Sequence, residues 1–156
     1  MESVAPVLVV ATGAMHCAVP LDRVVETMRP LPTQAVAGAP PFVRGMAIIR
    51  GEPTPVIDLA AMLGVDDLRA PGRFVTVECE GRRVALSVAE VVGVSRLGSD
   101  QVAALPPLFG DGRAGVIEAV GRLDRALVAV LRRVQLVPPD VLAALAALDA
   151  AQAVPR

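Results

Sequence analysis

Short runs of β-branched residues, separated by glycine and proline, constrain the fold of this chain more than any other feature. The run "PVLVVAT" at 6–12 is followed by Gly13 and then by "HCAVPL" at 16–21, a pattern that predicts a β-hairpin. "VVETM" at 24–28 predicts a third strand. The stretch 29–41 contains too many prolines and small residues for a helix or a central strand, so we expect an exposed loop.

The same pattern continues through the middle of the chain. "MAIIRG" and "TPVIDLAAMLG" are predicted to be two further strands around turn residues Gly51, Glu52 and Pro53. After a polar loop at 64–73, "FVTVECEGRRVALSVAEVVGV" repeats the opening order of strand, glycine turn, strand and valine-rich run. The chain is therefore predicted to be mainly β.

An offset of about 67 residues aligns the two halves of the chain. It places Val7 over Phe74, Val10 over Val77, Ala18 over Ala85, Val24 over Val91 and Val25 over Val92, and a slightly larger offset places Gly45 and Gly51 over Gly115 and Gly121. Any two valine-rich hairpins look alike, but here the glycines and the order of elements match as well. We predict two related units, roughly 6–65 and 73–137, as two small barrels that pack together.

Only the end of the chain has a helical pattern. Two prolines and Asp140 lie near the start of "PPDVLAALAALDAAQA", and Val141, Leu142, Leu145 and Leu148 recur at spacings of three and four. We predict an amphipathic C-terminal α-helix over 138–152, laid on the barrels.

Composition excludes several classes of partner. The 156 residues carry 15 basic and 16 acidic side chains, with no Trp or Tyr and only three Phe, so neither a basic patch nor a stacking platform for nucleic acid is expected. No apolar run approaches the length of a membrane span, and the N-terminus lacks the positive charge of a signal peptide. We therefore predict a cytoplasmic protein without membrane insertion.

The sequence offers no catalytic or metal-binding constellation. His16 and Cys17 are neighbours on a predicted strand, so their side chains are expected on opposite faces. The chain has no lysine, and two cysteines and one histidine at wide spacing make no metal set. Asp66 and Asp67 are expected to be solvated loop acids. We predict a non-catalytic binding protein that needs no cofactor or metal.

Arg50 is the charge that most needs a structural explanation. It follows Ile48 and Ile49 in an apolar run, and a guanidinium cannot be buried there without a partner. Glu26, on the third predicted strand, is the expected partner. Two interpretations remain open: an ordinary surface ion pair, or a pair at the edge of a groove that orients another protein.

From about Val7 to Val137 the sequence resembles the CheW family of chemotaxis coupling proteins. The resemblance is carried by "VLVVATGAMHCAVPLDRVVE", "FVRGMAIIRGEPTPVIDL", "RRVALSVAEVVGV" and "LVAVLRRVQLV", and most specifically by Gly45, Arg50-Gly51 and the run Pro55 to Leu59. It implies two SH3-like, five-stranded β-barrel lobes that share a core. It also implies an adaptor that couples methyl-accepting chemotaxis receptors to the regulatory domain of a CheA-type histidine kinase, in receptor arrays at the inner face of the membrane.

The resemblance also implies site residues. Val24, Glu26, Gly45 and Arg50 match family positions tied to receptor binding, and Gly51, Pro55 and Asp58 are assigned to structural turns. The chain departs from the family pattern at Ala85 and Ala89, where the family often has a glycine and an aspartate, so we expect contacts on the kinase side to differ more than those on the receptor side. Two alternatives remain: an accessory protein of the same fold that binds receptors but binds the kinase weakly or not at all, and a small-ligand β-barrel or enzyme.

Overall fold

The computed structural model describes residues 5–131 except 14, 66, 68, 69, 105–116, 124 and 125, together with 143 and 147. Between residues 5 and 131 the described chain contains eleven strands and one short α-helix, α1 (Leu59–Leu63). The strands are β1 (Ala5–Thr12), β2 (Met15–Pro20), β3 (Val24–Met28), β4 (Val43–Ile49), β5 (Glu52–Asp58), β6 (Arg73–Cys79), β7 (Arg82–Val88), β8 (Glu90–Leu97), β9 (Val102–Ala104), β10 (Ile117–Leu123) and β11 (Ala126–Leu131). The predicted mainly-β class is confirmed.

The strands form two sheets, which we call the six-stranded lobe and the five-stranded lobe. Their strand orders are β8-β1-β2-β11-β10-β9 and β3-β6-β7-β5-β4. The predicted two-lobed architecture is confirmed, with one difference in strand count. The three-residue strand β9 pairs with β10 and adds a sixth strand at the edge of one lobe.

The two lobes exchange strands between the two halves of the sequence. The hairpin β1–β2 pairs with β8 on one side and, in parallel, with β11 on the other. The hairpin β6–β7 pairs in the same way with β3 and with β5. Each lobe thus contains a hairpin from one half of the sequence and strands from the other half, so a lobe is not the same unit as a sequence repeat.

These two hairpins are apolar on both faces because one face packs in the core between the lobes and the other packs in the interior of the hairpin's own lobe. Along β1, Leu8 and Val10 contribute to the core between the lobes, while Val7 and Val9 face the interior of the six-stranded lobe. The hairpin β6–β7 divides its side chains in the same manner. The core between the lobes comprises Leu8, Val10, Cys17, Val19, Val43, Ile57, Leu59, Met62, Val75, Val77, Cys79, Val84, Leu86, Val88 and Leu131.

Matched β-bulges relate the two halves. The register of β3 against β6 shifts between Val24 and Glu26, and the register of β8 against β1 shifts between Val91 and Gly93, at an offset of 67 residues. The predicted alignment of Gly51 with Gly121 is wrong, because Gly51 lies in a turn and Gly121 lies within β10. The predicted match of Gly45 with Gly115 falls outside the described residues.

The turn between β4 and β5 begins one residue earlier than predicted. Ile49 pairs with Glu52, so the loop is only Arg50 and Gly51, with φ angles of 53° and 80°. Positive φ at both positions is characteristic of the tight hairpin turn that suits the twist of the flanking strands. Glu52 and Pro53 already belong to β5, and Arg50 is a turn residue rather than a strand residue.

The predicted strand "TPVIDLAAMLG" ends at Asp58, and its second half is α1. The Asp58 carboxylate accepts a hydrogen bond from the Ala61 N–H, which caps the helix, and Gly64 ends it with a φ of 78°. The assignment of Pro55 to a turn is also wrong, since Pro55 lies within β5 opposite Met46. Asp58 is therefore both the last residue of β5 and the N-cap of α1.

The stretch 29–41 is a loop, as predicted, with one bridge to the sheet. The N–H of Gln34 donates to the Met46 carbonyl at 2.8 Å, and the Met46 N–H donates to the Gln34 carbonyl at 2.9 Å.

The helix predicted over 138–152 lies outside the described residues except at 143 and 147, and it stays a prediction. Within the described chain, no helix has the length and apolar character needed to cross a bilayer.

Candidate functional site

Glu26 and Arg50 form the predicted ion pair, and its geometry is two-pronged. Arg50 Nη2 donates to Glu26 Oε1 at 2.6 Å, and Arg50 Nε donates to Glu26 Oε2 at 3.0 Å. Two parallel bonds between a guanidinium and a carboxylate fix the orientation of both groups more firmly than a single contact. The Arg50 side chain is 71% exposed and that of Glu26 is 23% exposed, so the pair presents mainly its arginine to solvent.

The pair joins the two edges of the five-stranded lobe. Glu26 belongs to β3 and Arg50 follows β4, and these strands are at opposite ends of the sheet order. The hydrogen bond from Arg50 is the main cause that lowers the pKa of Glu26, and it likewise raises the pKa of Arg50. Both groups are therefore charged at neutral pH, and the contribution of the pair to stability is lost only as the pH falls below the usual range for glutamate.

Thr76 holds the backbone of Glu26 at the bulge in β3. The Glu26 N–H donates to Thr76 Oγ1 at 3.2 Å, and the Thr76 hydroxyl donates to the Glu26 carbonyl at 3.2 Å. Thr76 is fully buried, and the hydroxyl supplies bonds that the interrupted strand ladder does not. Sequence reasoning missed this residue, although a lone threonine inside the apolar run "FVTVEC" was the available signal.

Replacing Thr76 with valine is expected to lower the free energy of unfolding by about 1–3 kcal/mol. Valine keeps the shape but leaves the N–H and carbonyl of Glu26 without these partners. Urea unfolding measures the effect, and Thr27→Val, at an exposed position of β3, is the matched control. Equal stability of Thr76→Val and Thr27→Val would show that the hydroxyl does not hold the bulge.

Gly45 has an internal structural role. It is buried at the bulge in β4 with a φ of 144°, and a Cβ atom there would lie 2.2 Å from the Gln34 carbonyl oxygen. The backbone that approaches Gly45 is therefore the chain's own 29–41 loop. Gly45 allows that loop to pair closely with the edge strand β4. Gly51, in contrast, has no atom within 4 Å of its Cβ position and lies at the exposed turn.

Apolar side chains lie directly beside the ion pair. Met28, Leu31 and Ile49 line a depression together with Glu26 and Arg50. Leu31, at 36% exposed, comes from the 29–41 loop and was not among the predicted site residues. The arrangement offers apolar area next to a fixed, exposed guanidinium.

The remaining predicted site residues are dispersed around this surface. Val24 packs partly against the core between the lobes, while its neighbour Val25 is 40% exposed at the bulge. Asp58 pairs with Arg44 at 3.1 Å in addition to capping α1. The structure thus brings Glu26 and Arg50 together, with Gly51 adjacent, and places Gly45, Pro55 and Asp58 in structural positions.

The side chains considered in the sequence for nucleophilic or metal chemistry do not form such a site among the described residues. Burial raises the pKa of the Cys17 thiol to about 12, which keeps it protonated and unreactive at neutral pH. No group of three or more metal-ligating side chains occurs in the part of the chain that is described. Asp67, expected to be a solvated acid, accepts a hydrogen bond from the Gly13 N–H, while Asp66 falls outside the described residues.

Comparisons with known proteins agree with this architecture. The CheW-like domain family matches residues 6–138. Protein FrzA of Myxococcus xanthus is 33% identical over 118 residues, which cover 72% of this chain and 73% of that protein. The crystal structure of the scaffolding protein TtCheW from Thermoanaerobacter tengcongensis has a TM-score of 0.76 at 19% identity, with 89% of this chain and 96% of that chain covered. The chain belongs to the CheW-like domain family.

Proposed function

We propose that this protein is a non-catalytic, cytoplasmic adaptor in chemotaxis-type signalling, which couples methyl-accepting chemotaxis receptors to a CheA-type histidine kinase. Family membership supports the general role, and so does the likeness in fold to TtCheW, which is a scaffolding protein. The observation that best supports receptor binding is the Glu26–Arg50 pair, which holds an exposed guanidinium in a fixed orientation beside an apolar depression.

The surface around Arg50 fits a helical partner. Helices dock on protein surfaces through apolar anchors at spacings of three and four residues. The depression lined by Met28, Leu31 and Ile49 would receive one such anchor, and Arg50 would set the orientation by pairing with an acidic side chain of the receptor helix. Glu26 engages one edge of the guanidinium with both carboxylate oxygens, which leaves Nη1 for such a contact.

The kinase side of the proposal rests on fold similarity between the adaptor and the kinase regulatory domain. Ala85, one of the departures from the family pattern, is fully buried inside the five-stranded lobe and cannot contact a partner directly. Its effect on kinase binding would have to act through packing. Signal transfer needs no chemistry in the adaptor, because a receptor state that changes how adaptor and kinase are held shifts the kinase equilibrium.

Titration calorimetry with two ligands tests this proposal. The purified protein is titrated with a soluble receptor-tip hairpin and, separately, with the kinase regulatory domain. Saturable binding to both supports the coupling adaptor, and binding to the receptor tip alone supports the accessory alternative. Binding to neither contradicts the proposed function while leaving the family assignment intact.

A further inference from the structure

The strand β8 is one of the two edge strands of the six-stranded lobe among the described residues. Its side chains at 90, 92, 94 and 96 are all exposed, with Val92 at 54% and Val94 at 61%. The backbone N–H and C=O groups along the edge of a sheet are a template for pairing with another strand, and the two exposed valines add apolar area beside that template. The edge of β8 is therefore a surface on which a strand of another molecule can pair.

The gap between β8 and the strands that face it differs from the equivalent gap in the other lobe, which the Glu26–Arg50 pair spans. Under the 67-residue offset Glu26 corresponds to Gly93, so the carboxylate that binds Arg50 in the five-stranded lobe has no counterpart on β8. Instead, a groove of about 360 Å³ lies between β8 and the facing strands of its own lobe, lined on that side by Val9, His16, Gln101, Leu123 and Val128. No atom lies within 4 Å of a Cβ placed on Gly93, so the face of β8 is open at this position.

The sequence of β8, "EVVGVSRL", is self-complementary around Gly93. If two copies pair in antiparallel orientation with Gly93 opposite Gly93, the two-fold axis places the bulge between Val91 and Gly93 symmetrically in both copies. Val92 then lies opposite Val94 of the other copy, and Glu90 lies opposite Arg96. Such cross-strand pairs, apolar with apolar and acid with base, are favourable when they lie directly opposite. Arg96 already has an interaction within its own chain, and a guanidinium has five N–H donors with which to make a second.

We propose that two copies of this chain associate through β8, with a two-fold axis at Gly93. A two-fold interface requires a self-complementary surface, and β8 meets that requirement. The edge strand β3 does not, because pairing centred on Glu26 would place two carboxylates against each other. The edge strand β9 has only three residues.

The predicted dimer is weak and leaves the proposed receptor surface accessible. One pair of strand edges buries less area than a standard stable interface, so we expect a weak dimer with a dissociation constant of about 100 µM or more. The Glu26–Arg50 pair lies on the other lobe and is not covered by this contact. The inference does not depend on the proposed function.

Sedimentation equilibrium of charge variants tests the dimer. From about 10 µM to about 1 mM, the wild-type mass is expected to rise from 16.1 kDa toward twice that value. Glu90→Arg and Arg96→Glu each place like charges opposite one another, and each is expected to raise the dissociation constant about 10- to 100-fold. An equimolar mixture of the two variants restores opposite charges across the interface, and we expect it to form a mixed dimer.

Several results would overturn the proposal. A wild-type mass of 16.1 kDa at every concentration would do so, as would dimers of both charge variants as stable as the wild type. Failure of the mixture to associate would also contradict the pairing. Arg122→Glu, on β10, is the control for a change in net charge. If a charge variant does not fold, Val94→Lys at its 61% exposed position replaces it, and an unchanged dimer would again contradict the proposal.

Discussion

Arg50→Glu is expected to weaken binding of a receptor-tip hairpin by at least about 100-fold while the fold stays intact. The substitution places a carboxylate beside Glu26 and removes the exposed cation that would meet an acidic receptor side chain. The turn itself tolerates glutamate, because Glu80 occupies the equivalent position in the β6–β7 turn with a φ of 50°. Calorimetric titration measures the affinity, and circular dichroism with thermal unfolding measures the fold.

Two further variants separate the charge of Arg50 from its structural pairing. Arg122→Glu changes the net charge equally on the other lobe and is expected to bind the receptor tip normally. The double variant Glu26→Arg with Arg50→Glu restores an ion pair but exposes a carboxylate at the turn, so we expect normal unfolding without recovery of binding. Wild-type affinity for Arg50→Glu, or loss of its cooperative unfolding, would refute this account of the site.

Gly45→Ala is expected to lower the free energy of unfolding by about 3–5 kcal/mol, a large part of the stability of a domain this size. The new methyl group would lie 2.2 Å from the Gln34 carbonyl oxygen, and the φ of 144° is one that alanine rarely adopts. Either the 29–41 loop leaves the sheet or the bulge in β4 is lost. Urea unfolding monitored by circular dichroism measures the change.

Gly51→Ala is the matched control for the conformational part of this effect. Its φ is also positive, at 80°, but no atom lies within 4 Å of the Cβ position. We expect a cost of about 1–2 kcal/mol, the penalty for a left-handed alanine. If Gly45→Ala costs no more than Gly51→Ala, the close approach of the Gln34 backbone does not restrain position 45, and the glycine is there for another reason.

Strand patterning was readable from the sequence because these strands are buried or alternate strictly. The hairpin β1–β2 was predicted from its β-branched runs, and the pairing of Glu26 with Arg50 followed from the cost of an unpaired charge in an apolar stretch. The run Leu59–Leu63 was assigned to the wrong class because a short apolar run fits a strand and a buried helix equally well. Asp58 and Gly64 flank it as helix cap signals and would have decided the assignment.

The exchange of strands between the lobes could not be predicted from local patterns. Nothing in the periodicity of β3 or β8 says which hairpin each will pair with, since both are valine-rich edge strands that follow a hairpin. The roles of Thr76 and Gln34 depend on contacts between segments far apart in sequence. Gly45 was noted from the sequence, but only the pairing of the 29–41 loop with β4 explains it as an internal packing position.

The central claim is that the receptor docks at the Glu26–Arg50 surface, and amide chemical-shift mapping tests it most directly. A ¹⁵N-labelled sample is titrated with an unlabelled receptor-tip hairpin. We expect the largest shift changes at Val25, Leu31, Arg50 and Gly51, and little change in β8 and β10. Shift changes concentrated on the six-stranded lobe, with Arg50 and Gly51 unaffected, would contradict it.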